Sequence, residues 1–244
     1  MRNFKLEITY RGSRYHGFQM QSNAVTIQGE IEKALKLLMG ERIVVHGCSR
    51  TDKGVHANSY ILNIRTSHKI TPIGIVKGLN AFLPDDIVVL DCEEVHLDFH
   101  ARFDAVAKEY IYRISNSRVP SPFLHELALQ HPYKLDHEKM LEGAEILIGK
   151  HDFASFCASG SRILGTVRTI HSIDIERTGD MIEITICGDG FLYNMVRIIV
   201  GTLIFYSDGK LTKDDIQDMI DNPDRKKAGK TVSPYGLYLN KVYY

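Results

Sequence analysis

The chain has 244 residues, enough for one large domain or two smaller ones with real cores. Its 44% hydrophobic and 25% charged residues are the proportions of an ordinary globular protein. With 30 Lys+Arg against 30 Asp+Glu, bulk charge gives no attraction to nucleic acid, and binding one would need a local basic groove. Four scattered cysteines, Cys48, Cys92, Cys157 and Cys187, without a CxxC pair, argue against a zinc site and a disulfide framework and fit a reducing cytoplasm. Met1 to Lys5 lacks an apolar signal core, and no stretch is long and apolar enough to span a membrane.

Phe4 to Tyr10 alternates apolar and polar residues, the pattern of a half-buried strand. The loop from Arg11 to Gln19 mixes arginines, aromatics and glycines, which suits phosphate contact and base stacking. The same composition allows a surface loop with Tyr15 and Phe18 tucked into the core. Ile27, Ile31, Ala34, Leu35 and Leu38 form a helical stripe between Thr26, a capping residue, and Gly40, a stop. Ile43–Val45 then leads into the polar stretch His46–Ala57, and Ser59–Ile64 leads out of it. The flanking runs read as strands and the stretch between them as a loop on a rigid scaffold. Gly47 and Gly54 bracket one carboxylate, Asp52, a guanidinium two residues earlier, Arg50, and the hydroxyls of Ser49 and Thr51. On residue types alone this is a connecting loop, with Asp52 in an Asx-turn and Arg50 solvated.

Thr71-Pro72 opens a helix running to about Phe82, and Asp86–Leu90 is a strand. In Lys108–Ile114, Tyr110, Tyr112 and Ile114 share one face and Ile111 and Arg113 the other, so pattern alone makes Tyr110 a cross-strand packing residue. His100 has no second ligand at metal spacing and reads as structural or phosphate-facing. Ser115 to Pro132, rich in proline, serine and histidine, is a long crossing segment where one half hands over to the other. Asp136–Ile148 is an amphipathic helix whose ending, Leu147-Ile148-Gly149-Lys150, echoes Leu38-Met39-Gly40-Glu41 and suggests an old duplication. Arg168–Arg177 and Met181–Cys187 are strands joined by the hairpin signal Thr178-Gly179-Asp180. A nearly all-apolar helix ends at Phe205 and carries one cation, Arg197, which is costly to bury unless a carboxylate pairs with it. Thr212 to Asp215 has capping-box spacing with Asp in the Glu position. Ala228-Gly229-Lys230-Thr231 is similar to a phosphate loop, but the required first glycine falls on Asp224 and a helix precedes it, so triphosphate binding is rejected. The nearby cluster Arg225-Lys226-Lys227 with Lys230 fits phosphate contact and simple solvation equally.

One segment changes the balance. Arg50-Thr51-Asp52-Lys53-Gly54-Val55-His56-Ala57 resembles the RTDxGVHA signature of the tRNA pseudouridine synthase A (TruA) family. Phe99–Ile114 is similar to the family's FxARFxAxxKxYxYxI segment, and Asp189–Arg197 to its GxxFLxxMVR element. His151–Phe156 matches a region that borders RNA in the family, and Pro234–Leu239 its closing strand, which lines the uracil pocket. The loop before Gln19 resembles a family segment that typically ends Gly-Trp-Gln, with Phe18 here for the tryptophan and Arg11 where an aspartate is common.

The resemblance implies an α/β fold of α+β type: two similar subdomains with largely antiparallel sheets flanked by helices, around a central active-site cleft. Residues 1–105 would carry the catalytic aspartate loop, and residues 106–244 would complete the cleft and the RNA surface. It implies an isomerase, an intramolecular transferase, that converts uridine to pseudouridine at positions 38, 39 and 40 of the tRNA anticodon stem-loop without metal or cofactor. Asp52 would be the nucleophile, Arg197 would lower its pKa, and Tyr110 would hold the ring and take the C5 proton. Arg50 would replace the flipped base in the stack, and Leu237 would contact the uracil. Whether the carboxylate attacks carbon or removes the ribose 2′ proton stays open. A homodimer would cradle one tRNA and let two modest basic strips line one groove. The rivals are the same chemistry on ribosomal RNA, a non-catalytic RNA-binding module, and a hydrolase pairing Asp52 with a histidine.

Overall fold

The first alternating run becomes β1 (Arg2–Tyr10) in the computed structural model, which describes residues 1–160 and 165–244. Contacts divide the chain into one unit of Met1–Val106 with Tyr238–Tyr244, and a second of Ala107–Leu237. In the first unit β1 is flanked on both sides by antiparallel partners, β3 (His56–Thr66) and β4 (Ile87–Val95). The short β2 (Val45–Gly47) pairs antiparallel with β3. The closing strand β10 (Leu237–Tyr243) pairs with β3 in parallel, Tyr238 opposite His56 and Leu239 opposite Ala57.

Phe4, Leu6, Ile8 and Tyr10 all point into the core from alternate positions of β1, which is why the period of two was readable. Helix α1 (Ile27–Met39) starts where Thr26 Oγ1 accepts the Gly29 amide at 3.2 Å and stops at Gly40, whose φ of +75° is left-handed. It packs on α2 (Pro72–Phe82), which in turn covers β4. A buried asparagine pair ties in the Phe99–Ala101 segment. Asn63 Nδ2 donates to Asn3 Oδ1 at 3.0 Å, Asn3 Nδ2 to the Phe99 carbonyl at 2.9 Å, and the Ala101 amide to Asn63 Oδ1 at 2.9 Å. The exit strand expected over Ser59–Ile64 is longer than its β-branched run, because His56 and Ala57 already sit in the ladder.

The second unit is built on the sheet order β5 (Ala107–Ser115), β9 (Met181–Gly188), β8 (Val167–Thr178), β7 (Gly149–Asp152), antiparallel throughout, with β6 (Leu129–Gln130) added in parallel to β5. Helix α3 (His137–Glu145) packs on β8 and on α4 (Met195–Ser207), and α5 (Lys213–Asp221) lies near β7. The expected capping box is complete: Thr212 and Asp215 bond each other's backbone amides.

Two expectations about organisation are corrected. The crossing segment from Ser115 to Pro132 lies wholly inside the second unit, where it supplies a short 3₁₀ turn (Pro122–Leu124) and β6; the chain changes unit earlier, after Val106. It changes again at the end, since Tyr238–Tyr244 belongs with the first unit. A strand added in parallel to β3 from the far end of the chain leaves no trace in local pattern.

The phosphate-loop look-alike has a packing explanation. A Cβ on Gly201 of α4 would lie 1.9 Å from the Lys230 carbonyl oxygen, and one on Gly229 would lie 2.4 Å from the Gly201 backbone. Thr202 Oγ1 accepts the Gly229 amide at 2.9 Å. The two glycines let segment 228–231 lie directly on the helix backbone. Gly201→Ala, which in an exposed helix would stabilise by about 1 kcal/mol, is therefore expected to destabilise by about 3 kcal/mol, read as a lower urea midpoint at unchanged m-value.

Candidate active site

The Asp52 loop is held by main-chain hydrogen bonds and by buried tyrosine hydroxyls. The β2 ladder runs one residue past Gly47, with the Cys48 amide on the Ile61 carbonyl at 2.9 Å. The Tyr60 hydroxyl then donates to the Ser49 carbonyl and accepts the Ser49 amide at 3.4 Å. Thr51 is anchored twice: its carbonyl accepts the Phe18 amide at 3.1 Å, and its buried hydroxyl meets the Tyr10 hydroxyl at 2.8 Å. The Val55 amide closes a turn on the Asp52 carbonyl at 3.1 Å, over Gly54 at φ +82°, and the Gly54 amide reaches the Tyr15 carbonyl at 3.3 Å. His56 starts β3, takes the Gly12 amide on Nδ1 at 3.0 Å and stacks on Tyr238 with centroids 4.6 Å apart. With Thr51 turned inward, Asp52 is left half-buried and Arg50 exposed.

The glycine- and aromatic-rich loop after β1 is the clamp. A Cβ on Gly12 would lie 1.9 Å from the Val55 carbonyl oxygen, and one on Gly17, at φ +86°, would lie 2.4 Å from that of Thr51. Tyr15 and Phe18 are each 3% exposed, so of the two readings left open for these rings the core reading holds and base stacking falls away. Phe18 stacks on Tyr60 at 4.2 Å and 20°, in the place where the resembling segment has tryptophan. The loop is pinned at its other side by Asp86, which accepts from Arg14 Nε at 2.7 Å and the Tyr15 hydroxyl at 2.5 Å, while its carbonyl accepts the Arg11 amide at 2.9 Å.

In the second unit, Tyr110 faces Ile186 across the β5–β9 ladder, is buried, and meets the edge of Phe191 at 5.1 Å and 82°. Arg197 sits in the first turn of α4. Its Nε donates to the Val232 carbonyl at 2.8 Å and its Nη1 to Asn194 Oδ1 at 2.5 Å. Asn194 holds the helix start at φ +61°. The Tyr112 hydroxyl donates to the Ser233 carbonyl at 2.7 Å, and burial pushes this phenol well above its usual range, against the opposing charge of Arg197. Gly236 lies against Tyr112 and the Arg113 carbonyl, and buried Leu237 follows it. Tyr112, the neighbour of Tyr110 on the same strand face, thus gathers Arg197 and the 232–237 segment. Asp52 and Arg50 lie in the first unit, and Tyr110, Arg197 and Leu237 in the second.

Comparison with known proteins supplies the deciding observation. A family model described as tRNA pseudouridine synthase matches residues 8–104 and 144–244. The chain is 47% identical over 244 residues to tRNA pseudouridine synthase A of Acetivibrio thermocellus, covering 100% of both chains. It is 45% identical to the protein of that name from Thermoanaerobacter sp. (strain X514) and 43% identical to that from Clostridium acetobutylicum, again over 100% of both chains.

The chain belongs to the tRNA pseudouridine synthase family. The family segments now have visible physical roles. The Phe99–Ala101 stretch docks on the asparagine pair, and Phe191 of the GxxFLxxMVR element meets Tyr110. His100 lies 4.3 Å from the Phe103 ring and 5.2 Å from His46, ring to ring. Burial, then the nearby His100 charge, holds His46 below the usual imidazole range. Among the described residues no group of three or more His, Cys, Asp or Glu side chains is arranged to hold a metal ion.

The basic cluster near the C-terminus resolves in part. Arg225 donates to the carbonyls of Ala228 and Gly229 and to Thr231 Oγ1, and Lys227 pairs with Asp218 at 2.5 Å, so these two brace the fold. Lys226 and Lys230 are exposed.

Sequence reasoning missed Tyr10, Tyr60 and Asp86. The two tyrosines occupy ordinary core positions of alternating strands, and Asp86 lies just ahead of β4, so nothing local marks them as supports of the loop.

Burial pushes the Asp86 carboxyl up, but the hydrogen bonds from Arg14 and Tyr15 outweigh it, and the group lies below the usual carboxylate range. A depressed folded pKa contributes stability above the unfolded value near ~3.9, and that stability is lost as pH falls through the folded value. Asp86→Asn is expected to cost about 2 kcal/mol at pH 7, and thermal melts of wild type and variant should converge as the pH drops below about 4.

Proposed function

We propose that this protein, an isomerase acting on tRNA as its family is, converts uridine to pseudouridine at positions 38, 39 and 40 in the anticodon stem-loop. The observation that carries the reading is the Asp52 loop. An eight-residue family signature is anchored by main-chain hydrogen bonds at Thr51, Asp52, Gly54 and Val55, and its one carboxylate is half-buried two residues from an exposed arginine.

The reaction breaks the bond between uracil N1 and ribose C1′, turns the base, and forms a C5–C1′ bond. The proton on C5 leaves and N1 gains one, so no electrons enter or leave. A carboxylate serves this chemistry by attacking carbon or by removing the ribose 2′ proton, and Asp52 takes that part. It must be ionised in a site closed over a base, so it needs a cation. Arg197 supplies one, with a planar group oriented in part by the carbonyl of Val232 and the side-chain oxygen of Asn194. Tyr110 offers a ring face to the uracil and a hydroxyl for the C5 proton. Leu237 provides apolar contact with the base. Arg50, exposed on an anchored backbone, fills the gap left in the RNA stack, where flipping costs a few kcal/mol. A homodimer in the cytoplasm completes the reading: with zero net charge per chain, two copies facing one tRNA would double the local basic surface. No helix among the described residues is long and apolar enough to cross a membrane.

The purified protein is to be mixed with unmodified tRNA transcript and pseudouridine mapped by carbodiimide adducts that stop reverse transcription. Stops at the anticodon arm are expected, with no free uracil released. Asp52→Ala should remove them while tRNA affinity stays within about threefold, since the main-chain hydrogen bonds at Thr51, Gly54 and Val55 remain to hold the loop. Stops on ribosomal RNA alone would transfer the chemistry to that substrate, and unchanged product from Asp52→Ala would end the assignment.

A further inference from the structure

We propose that the second unit carries a preformed ribonucleotide-binding pocket, separate from the residues assigned to isomerisation, that grips the tRNA at a second point. The proposal rests on the tRNA reading above. A cavity of about 610 Å³ opens where β5 ends, and Asn116, Arg118, Tyr133, Lys134, Arg177 and Asp180 are among its walls. The volume falls in the range that holds small ligands. Asn116 lies six positions along the strand and its end from Tyr110, about 20 Å of extended chain.

The pocket is built, not incidental. Asn116 is 7% exposed and uses its whole amide. Its Nδ2 donates to the carbonyls of His131 at 3.0 Å and Tyr133 at 2.6 Å, and its Oδ1 accepts from the Leu135 amide at 3.0 Å and Arg177 Nη1 at 3.2 Å. One buried side chain therefore fixes the 131–135 wall and the arginine together.

The charge of the pocket is the second observation. Arg177 is half-buried, and its partners are neutral oxygens: the Gly179 and Leu135 carbonyls, both at 3.1 Å, and Asn116. Neutral acceptors orient a guanidinium and leave its full positive charge for a ligand. Arg118 and Lys134 are exposed at the mouth, and neither takes part in an ion pair among the described residues. Three cations against Asp180 select an anion, and a phosphodiester suits a planar guanidinium. Tyr133 stands 74% exposed beside them, with its backbone held by Asn116. An aromatic ring kept in water next to unpaired cations is the arrangement that stacks a base while the cations take its phosphate. Asp180, as the one acceptor-only group, suits a ribose 2′-hydroxyl, which DNA lacks.

The test uses the full-length protein and tRNA transcript with Arg118→Gln/Lys134→Gln and Tyr133→Ala; all three side chains are exposed and leave the Asn116 bonds intact. The double variant is expected to raise the KM and Kd for tRNA with kcat unchanged and to lower the slope of log K against log salt by about two. Tyr133→Ala should weaken binding at least about fivefold. If wild type modifies tRNA and both variants match its KM, Kd and salt slope, the pocket proposal is overturned and the enzymatic reading stands. If wild type neither binds nor modifies tRNA, both fail. A further arm titrates uridine monophosphate: binding that needs Arg118 and Lys134, with tRNA affinity unchanged in the variants, would mean a free-nucleotide site and would also overturn the proposal.

Discussion

Everything proposed for the first unit depends on one steric fact: two stretches of main chain lie in direct contact, with no side chain between them. The loop after β1 runs against the Arg50–Val55 segment so closely that Gly12 and Gly17 have no room for a single methyl group. Contact at that range lets backbone amides do the positioning. Phe18, Gly54 and Val55 donate amides to carbonyls of the facing or same loop, and the distances run from 3.1 to 3.3 Å. Main-chain hydrogen bonds shielded by buried rings such as Phe18, Tyr10 and Tyr60 are stiff and insensitive to salt. A carboxylate carried on such a loop has little freedom to wander, which is what a catalytic group needs.

The second unit solves a different problem, that of holding a guanidinium in an apolar setting. Helix α4 is buried nearly all round, and Arg197 enters at its first turn, where amides are free of helix partners and the chain can still turn away. The left-handed Asn194 and the segment beginning at Val232 supply neutral oxygens on its flanks. That segment is in turn held on Tyr112 through Ser233 and on the Arg113 carbonyl by the close approach of Gly236. Those oxygens offset part of the cost of taking this half-buried cation out of water. The same segment leads into Leu237 and β10, so orienting the arginine and delivering the closing strand are one structural event.

A neutral chain that handles a polyanion must concentrate its positive charge locally. Several basic residues are spent on the fold itself: Arg225 on loop carbonyls, Lys227 on Asp218, Arg14 on Asp86 and Arg2 on Glu94. Counting lysines and arginines therefore says little about RNA affinity. Cations whose partners are neutral, as Arg177's are, weigh more than their number suggests.

Local patterns were legible wherever the physics was local. The strand period in β1, β5 and β9, the Thr26 and Thr71 caps, the Gly40 stop, the Thr212–Asp215 box and the Gly179 hairpin all depend on residues within a few positions of one another. The RTDKGVHA signature was legible for another reason: eight ordered residues carry enough information to name a family, and hence an aspartate, from the string alone. What the string left open is whatever depends on meetings between distant segments. Tyr15 and Phe18 had the composition of an RNA-contacting loop, and only the packing of that loop onto residues 51–55 turned them inward. Ala228-Gly229-Lys230-Thr231 had the composition of a nucleotide loop, and only its contact with Gly201 showed a glycine needed for helix packing. The transfer of Tyr238–Tyr244 to the first unit is of the same kind. Residue type and short-range order determined the elements and the family. Which backbone may approach which, and therefore which side chains are left over for chemistry, was decided by three-dimensional contact alone, because excluded volume acts between atoms that are near in space however far apart they are in the chain.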